Sequence, residues 1–449
     1  MRTAIGLRIC VAFSAVVFCA GIAFGQSPGR AALPIDLATA LRLAGAKNLD
    51  VQIARERLRE AQANKESAVE NFFPWVSPGI AYHQRVGMAQ AVPSGTVSDT
   101  NLHSYAPGAT FTGQVALGDA IYQSLASKQL VKASEQGFEA QRQDAMLSAA
   151  QGYFELLKAQ MLIQVEKEAL AVSYQYQQEL HAAVGAGVAF RGDELRVQTQ
   201  TESYRVAVSQ AMEQKLLAST NLALVLHLDS SVELEPQDTE LAPLDLFRSD
   251  LDLHVLIQEA LEARPERKQN QALVGAATDL KNDALYGALV PSLGAQIFVG
   301  DFGGGHANAP SHYGDAQDYL FGLSWRIGPG GLLDFGRVKA TKARLAAAQW
   351  GETKVEDAIA SQVSAAYTQI QSLNEQIGLT KQNLSTADET LRLTRQRKQF
   401  GVGIVLEEIQ AEQELTRARS AYLSAIADFD KAQYALNRAV GGVPDAATR

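Results

Sequence analysis

The amino-acid sequence predicts a mainly α protein that also carries a membrane β-barrel, built twice by internal tandem duplication. Three features of the chain point there. Five short segments recur in the same order at an offset near 216 residues. Two long stretches, from Pro107 to Pro236 and from Pro329 to Pro444, contain no internal proline. Two shorter regions alternate apolar and polar residues with the period of a strand.

The recurring pairs are AKNLDV (46–51) with EARPER (262–267), and NFFPW (71–75) with ALVPSL (288–293). They continue with VALGDAIY (115–122) and GGLLDFGR (330–337), GAGVAF (185–190) and GVGIVL (401–406), and NLALVLHL (221–228) and ALNRAVGG (435–442). Chance gives one such match but not five in register, so the chain divides into a first unit over 26–250 and a second over 251–449.

Residues 1–25 come first. Arg2 and Arg8 precede the apolar run ICVAFSAVVFCAGIAFG, which ends in the small residues Ala23 and Gly25. That layout predicts a secretory signal peptide cleaved before Gln26. Both cysteines, Cys10 and Cys19, fall inside it, and bulky Phe18 before Cys19 disfavours lipoprotein processing. The mature chain then has no disulfide or thiolate. A net charge of −9 with no basic run argues against nucleic acid as a partner.

In each unit an opening helix runs to a proline, Pro74 or Pro291, which cannot continue the helical hydrogen-bond ladder. Two hairpins follow, over about 76–118 and about 292–328, with four strands of about ten residues in all. YLFGLSWRI places Tyr319, Phe321, Leu323, Trp325 and Ile327 on one face, and ATFTGQVAL alternates Phe111, Val115 and Leu117 against Thr112 and Gln114. A small soluble sheet packed on helices is the plainer alternative. Strand length and the interfacial aromatics Trp75, Tyr82, Tyr319 and Trp325 favour a transmembrane barrel. No apolar stretch beyond residue 25 is long enough for a membrane helix. Four strands cannot close, and a bilayer admits no open strand edge. Two chains give eight strands with a filled interior, whereas three give twelve with a lumen, so a conduit implies a homotrimer with four strands per protomer.

The proline-free stretches are rich in Ala, Leu, Gln, Glu and Lys. They predict helices ending near Val184 and Gln399 that reach roughly 100 Å and pack as a coiled coil or bundle. Each is interrupted by glycines, Gly185 and Gly187 in one unit, Gly401 and Gly403 in the other.

With these parts in place the chain resembles the TolC-type outer-membrane efflux protein family. The resemblance spans essentially the whole mature chain. It rests on the opening IDLATALRLAGAKNLDVQIARERLREAQA, the FFP and LVP helix exits, the LLDFGR segment and the two glycine breaks. It implies a trimer with a twelve-stranded β-barrel in the outer membrane and a long α-helical barrel across the periplasm. Shorter elements at mid-length would be built from the chain ends and the linker 229–250. It also implies a passive exit duct of a tripartite efflux or type I secretion system, with a periplasmic adaptor and an inner-membrane pump as partners. Gly185, Gly187, Val188, Gly401, Val402 and Gly403 would then form helix-hairpin tips and the adaptor docking surface. Acidic residues after the second tip would ring the periplasmic aperture: Glu407, with Glu408 beside it, and Asp193 and Glu194 as first-unit counterparts. Helix-start carboxylates also favour the positive end of the helix dipole, which is the plainer account of these four.

Other motifs carry less. RGD (191–193) falls at a tip by chance. FGGGH, with His306 and His312, does not lead into a helix, and two loop histidines are too few to assign a metal site from the sequence. No catalytic grouping stands out, so neither an enzyme nor a cofactor is expected. The main alternative to the channel is a periplasmic coiled-coil adaptor or scaffold with a soluble sheet and no membrane pore. The doubled hairpins oppose it.

Overall fold

The computed structural model describes residues 32–70, 72–73, 75–90, 94–246, 252–306, 312–400 and 403–443. The expectations for residues 1–25, Pro74, Gly401 and Val402 lie outside the described residues.

The first unit contains β1 (Ala32–Ile35), α1 (Leu37–Lys47), α2 (Leu49–Glu70), β2 (Trp75–Gln90), β3 (Val97–Ala116), α3 (Leu117–Gly185), α4 (Arg191–Val225) and β4 (Glu233–Pro236). The second contains α5 (Leu253–Ala263), α6 (Pro265–Tyr286), a 3₁₀ turn (Gly287–Leu289), β5 (Ser292–His306), β6 (His312–Ser324), α7 (Phe335–Gln399) and α8 (Val405–Val440). The duplication is visible in the lengths. α1 and α5 have 11 residues each, α2 and α6 have 22, α3 and α7 have 69 and 65, and α4 and α8 have 35 and 36. At 1.5 Å per residue α3 and α7 each extend about 100 Å.

Local chemistry sets several helix starts. Asp36 caps α1 by accepting from the Thr39 amide at 3.1 Å, and Asp334 caps α7 by accepting from Arg337 at 2.9 Å. Pro265 opens α6, where its missing N–H would have had no partner. The long helices pack through alanine-rich seams into two equivalent cores. One joins α1, α3 and α4 through Leu41, Tyr153, Phe154, Leu157 and Leu222, and the other joins α5, α7 and α8 through Leu256, Ile359, Val363 and Leu436. The chain ends tie in at mid-length. β1 pairs in parallel with β4, Tyr153 donates to Asp238 at 2.6 Å, and the Leu244 amide donates to Asp430 at 2.8 Å.

The four long strands form one antiparallel sheet in the order β2-β3-β5-β6. At 16, 20, 15 and 13 residues they are longer than the expected ten. The polar segments at 97–106 and 301–306 look like loops by composition, yet backbone pairing continues through them, with β2 in the first case and with β6 and then β3 in the second. Strand β3 ends at Ala116, so Leu117 is the first residue of α3 and not a strand position. Pro107 leaves a mark as well. The β3–β5 ladder lapses between Tyr105↔Gly303 and Gly108↔Gly300, where proline has no N–H to donate.

The helices meet the sheet at a tight junction. A side chain on Gly118 would place its Cβ 2.0 Å from the Gly287 carbonyl oxygen, so the two backbones are in direct contact. Beside them Asp283 is buried and paired with Arg337, which lies 3.6 Å from Asp119. Burial and the neighbouring Asp119 carboxylate raise the Asp283 pKa, and Arg337 offsets part of that rise. Gly118→Ala is therefore expected to disrupt the junction by about 3 kcal/mol or more, because neither backbone can yield without moving a helix. Membrane-fraction yield of assembled protein measures this, and yield equal to wild type would contradict the close approach.

Candidate functional site

Two regions are built for more than packing: the ends of the helical hairpins and the surface of the sheet.

In the first hairpin α3 ends at Gly185 and the reversal occupies residues 186–190. Gly187 has φ +74°, a conformation glycine adopts without penalty. The Val188 amide donates to Ala183 at 3.0 Å and the Gly187 amide to Val184 at 3.0 Å, which satisfies the last carbonyls in a Schellman pattern. Val188 and Phe190 project with 79% and 74% exposure. In the second hairpin Phe400 is 83% exposed after α7, and Gly403 lies against the Lys398 backbone, where a Cβ would sit 2.9 Å from the amide nitrogen. Both helix ends thus present apolar side chains around glycines.

Each carboxylate singled out in the sequence begins a helix and meets a basic side chain. Asp193 lies 3.1 Å from Arg196, and Glu194 lies 2.6 Å from His181 Nδ1 and 3.9 Å from Arg191. Glu407 lies 3.3 Å from Arg397 and is the most exposed of the four. Glu408 is buried. Lys398 Nζ donates to it at 2.7 Å, and Arg395 lies 3.6 Å away and also 3.4 Å from Glu412. Burial raises the Glu412 pKa, with Arg395 opposing.

Tyr176 of α3 joins the two hairpins, and sequence reasoning missed it. Its ring lies 3.6 Å below Lys398 Nζ, a cation–π contact. It is buried with Leu180 and Val197 against Val405 and Ile409 of α8. Burial raises the pKa of its hydroxyl, and the Glu408 carboxylate adds to the rise. The only signal was the four-residue spacing of Tyr176 and Leu180, which reads equally as ordinary core.

The sheet has two chemically distinct faces. Cross-strand partners share a face, and alternate residues along a strand share it too. One face carries the rows Phe111–Ile297–Tyr319 and Val115–Leu293–Leu323, with Ile80 and Phe321 at 81% and 70% exposure. The other carries Thr112–Gln296–Leu320, Gln114–Gly294–Gly322 and Ala116–Ser292–Ser324. Such an exposed apolar face needs a covering partner. Tyr82, Tyr105 and Tyr313 share one row of that face. Trp325 follows β6 at the helix-side end, donating to the Leu289 carbonyl at 3.2 Å. The twelve residue steps from Tyr313 to Trp325 would span about 30 Å at the tilt of about 40° usual for membrane-barrel strands, the thickness of a hydrocarbon core. Tyr319 sits midway, and Pro291 lies between the 3₁₀ turn and β5. Trp75 is the first residue of β2, at the helix-side end. Strands β2 and β6 are the unpaired edges. No described helix is long and apolar enough to cross a membrane.

Comparison with known proteins agrees with this architecture. Residues 256–442 match the model of the outer membrane efflux protein family. A search of curated proteins finds no match. A membrane protein from Pseudomonas aeruginosa superposes with a TM-score of 0.76 at 18% identity, covering 90% of this chain and 93% of that one. The outer membrane protein VceC from Vibrio cholerae gives 0.74 at 18% identity, covering 90% and 96%. The Campylobacter jejuni CmeC outer membrane channel gives 0.73 at 17% identity, covering 90% and 85%. The chain therefore has the fold of these outer-membrane proteins, as its resemblance to the TolC-type family implied.

Proposed function

We propose that this chain, similar to the outer membrane efflux protein family over residues 256–442, forms a homotrimeric channel-tunnel in the outer membrane of a Gram-negative bacterium. The observation that carries the proposal is an open, amphipathic four-stranded sheet continuous with helices about 100 Å long. One face of the sheet suits lipid and the other carries mostly small and polar residues. Its edges β2 and β6 require strands from neighbouring protomers. Three copies give twelve strands and a lumen. The helices would then extend the duct through the periplasm, and the sheet would open to the outside.

The channel is a passive exit duct of a tripartite efflux or type I secretion system. An inner-membrane pump supplies the energy and selects the substrate. A periplasmic adaptor docks on the hairpin ends, where Val188, Phe190 and Phe400 offer apolar contact area. Gly185, Gly187 and Gly403 shape those ends. Glu407 lines the aperture, since its carboxylate is the most exposed of the candidates, while buried Glu408 holds the adjacent helices together. Present three times in the trimer, Glu407 would concentrate cations at the constriction.

Single-channel conductance of purified trimer in a planar bilayer tests this. Wild type is expected to show low, cation-selective conductance, and Glu407→Gln to show reduced selectivity. A trimer with no pore refutes the function. A pore with unchanged selectivity refutes only the aperture assignment. Recovery in the soluble periplasmic fraction without detergent would favour the adaptor or scaffold instead.

A further inference from the structure

We propose that His306 and His312 form a binding site for a divalent transition-metal ion, of the zinc, nickel or copper class, at the end of the sheet farthest from the helices. The site's position inside a lumen rests on the channel reading; the site itself needs only the sheet.

The strands leave the helices at Trp75, Ala116, Ser292 and Ser324, so His306 at the end of β5 and His312 at the start of β6 lie at the opposite end. Read as loop residues the two histidines are unrelated. The register relates them. His312 pairs with Gly304, and Gly304 and His306 are two residues apart on β5, so both imidazoles lie on the small, polar face. They are diagonal neighbours on adjacent strands, with Cα atoms about 7–8 Å apart and Cβ atoms closer. Two rings projecting from such positions can meet on one ion at the usual nitrogen distance of about 2.0–2.1 Å.

The surroundings leave room for that. Gly304 stands directly opposite His312, and Gly314 is its next neighbour on the same face of β6. Beside His312 a groove of about 670 Å³ is lined also by His83, Arg85, Ser104, Phe302 and Gly304, and His306 follows Gly305 of that lining at the end of β5. Among the described residues neither imidazole has a hydrogen-bond partner that would fix it elsewhere. Imidazole suits zinc, copper and nickel. No third histidine, cysteine or carboxylate among the described residues completes a cluster, so water fills the remaining positions and the ion stays exchangeable. Arg85 starts two strands from His306 in the same row and lines the groove beside His312, so its charge opposes the ion and salt screens part of that repulsion. His103 lies on the other face beside Tyr105, with ring centroids 5.7 Å apart.

Isothermal titration of detergent-solubilised full-length protein with zinc chloride tests the site. One ion per chain is expected, with an affinity on the order of micromolar. His306→Ala and His312→Ala should each weaken binding by at least about tenfold, while His103→Ala leaves it unchanged. His306→Gln and His312→Gln provide a second pair should alanine disturb the strand ends, and trimer elution in size exclusion confirms folding. No saturable binding to wild type, or binding indifferent to His306 and His312, overturns the proposal. Zinc added on the outer side of a bilayer should also lower cation conductance. A pore that conducts but binds no zinc sinks the site alone, whereas zinc binding to a protein without a pore sinks the channel and leaves the site standing.

Discussion

Replacing Lys398 by methionine is expected to loosen the end of the second helical hairpin, and replacing Glu408 by glutamine at the same time is expected to restore most of the loss. In the native protein the Lys398 ammonium is shared between the buried Glu408 carboxylate at 2.7 Å and the Tyr176 ring at 3.6 Å. It therefore bonds α7 to α8 and the second hairpin to the first. Methionine keeps the bulk and the contact with the ring but leaves Glu408 buried with only Arg395, at 3.6 Å. Breaking a buried pair by removing one partner costs about 3–5 kcal/mol, and the remaining arginine places this site near the lower figure. A loss of about 3 kcal/mol corresponds to about 100-fold faster local hydrogen exchange over residues 395–412. In the double variant no charge is left unpaired, so exchange should return to within about tenfold of wild type. Under the channel reading the single variant also conducts several-fold better. Unchanged exchange in Lys398→Met would show that the lysine is not holding the hairpins together.

Much of this architecture was legible because its causes are local or repeated. The duplication shows as ordered matches, and the long helices show as proline-free stretches of good helix formers. Gly187 was legible as a reversal because the left-handed φ it adopts favours glycine. Strand length was not legible. The segment SDTNLHSYAPG (98–108) has loop composition, and pairing with β2, joined by β5 from Leu102 to Tyr105, makes it a strand. Nor was the difference between Glu407 and Glu408. Adjacent residues on a helix point about 100° apart, so the same residue type is half exposed at one position and buried at the next. Which of the two turns inward depends on the rotation of α8 against α3, a tertiary fact carried by Tyr176, Leu180 and Ile409. The histidines show the same limit. Their shared face follows from register, and register follows from the hairpins as a whole.

Substituting Glu266 by glutamine is expected to release the C-terminal end of α8 from the start of α6, with a pH dependence that identifies the cause. Arg438, near the end of α8, is buried; it lies 2.8 Å from Asp144 of α3 and is paired with Glu266 of α6. Glu266 also accepts from the buried Arg264, at 2.7 and 3.1 Å. One carboxylate thus serves two desolvated guanidiniums. Burial pushes the Glu266 pKa up, but the hydrogen bonds and charges of Arg264 and Arg438 outweigh it and hold the pKa at about 2 against an ordinary 4.5. A fall of that size corresponds to about 3 kcal/mol of stabilisation. Because the folded value is the lower one, the unfolded chain binds the proton more tightly. The stabilisation is therefore fully present above pH 4.5 and is lost as pH falls towards 2. Glutamine retains the shape and one acceptor but leaves Arg264 and Arg438, among the described residues, with only the half-exposed Asp144 as a carboxylate partner. The difference in urea resistance between wild type and Glu266→Gln should be large at pH 7 and shrink steadily below pH 4.5. A difference that stays constant with pH would mean the glutamate acts through shape and not through charge.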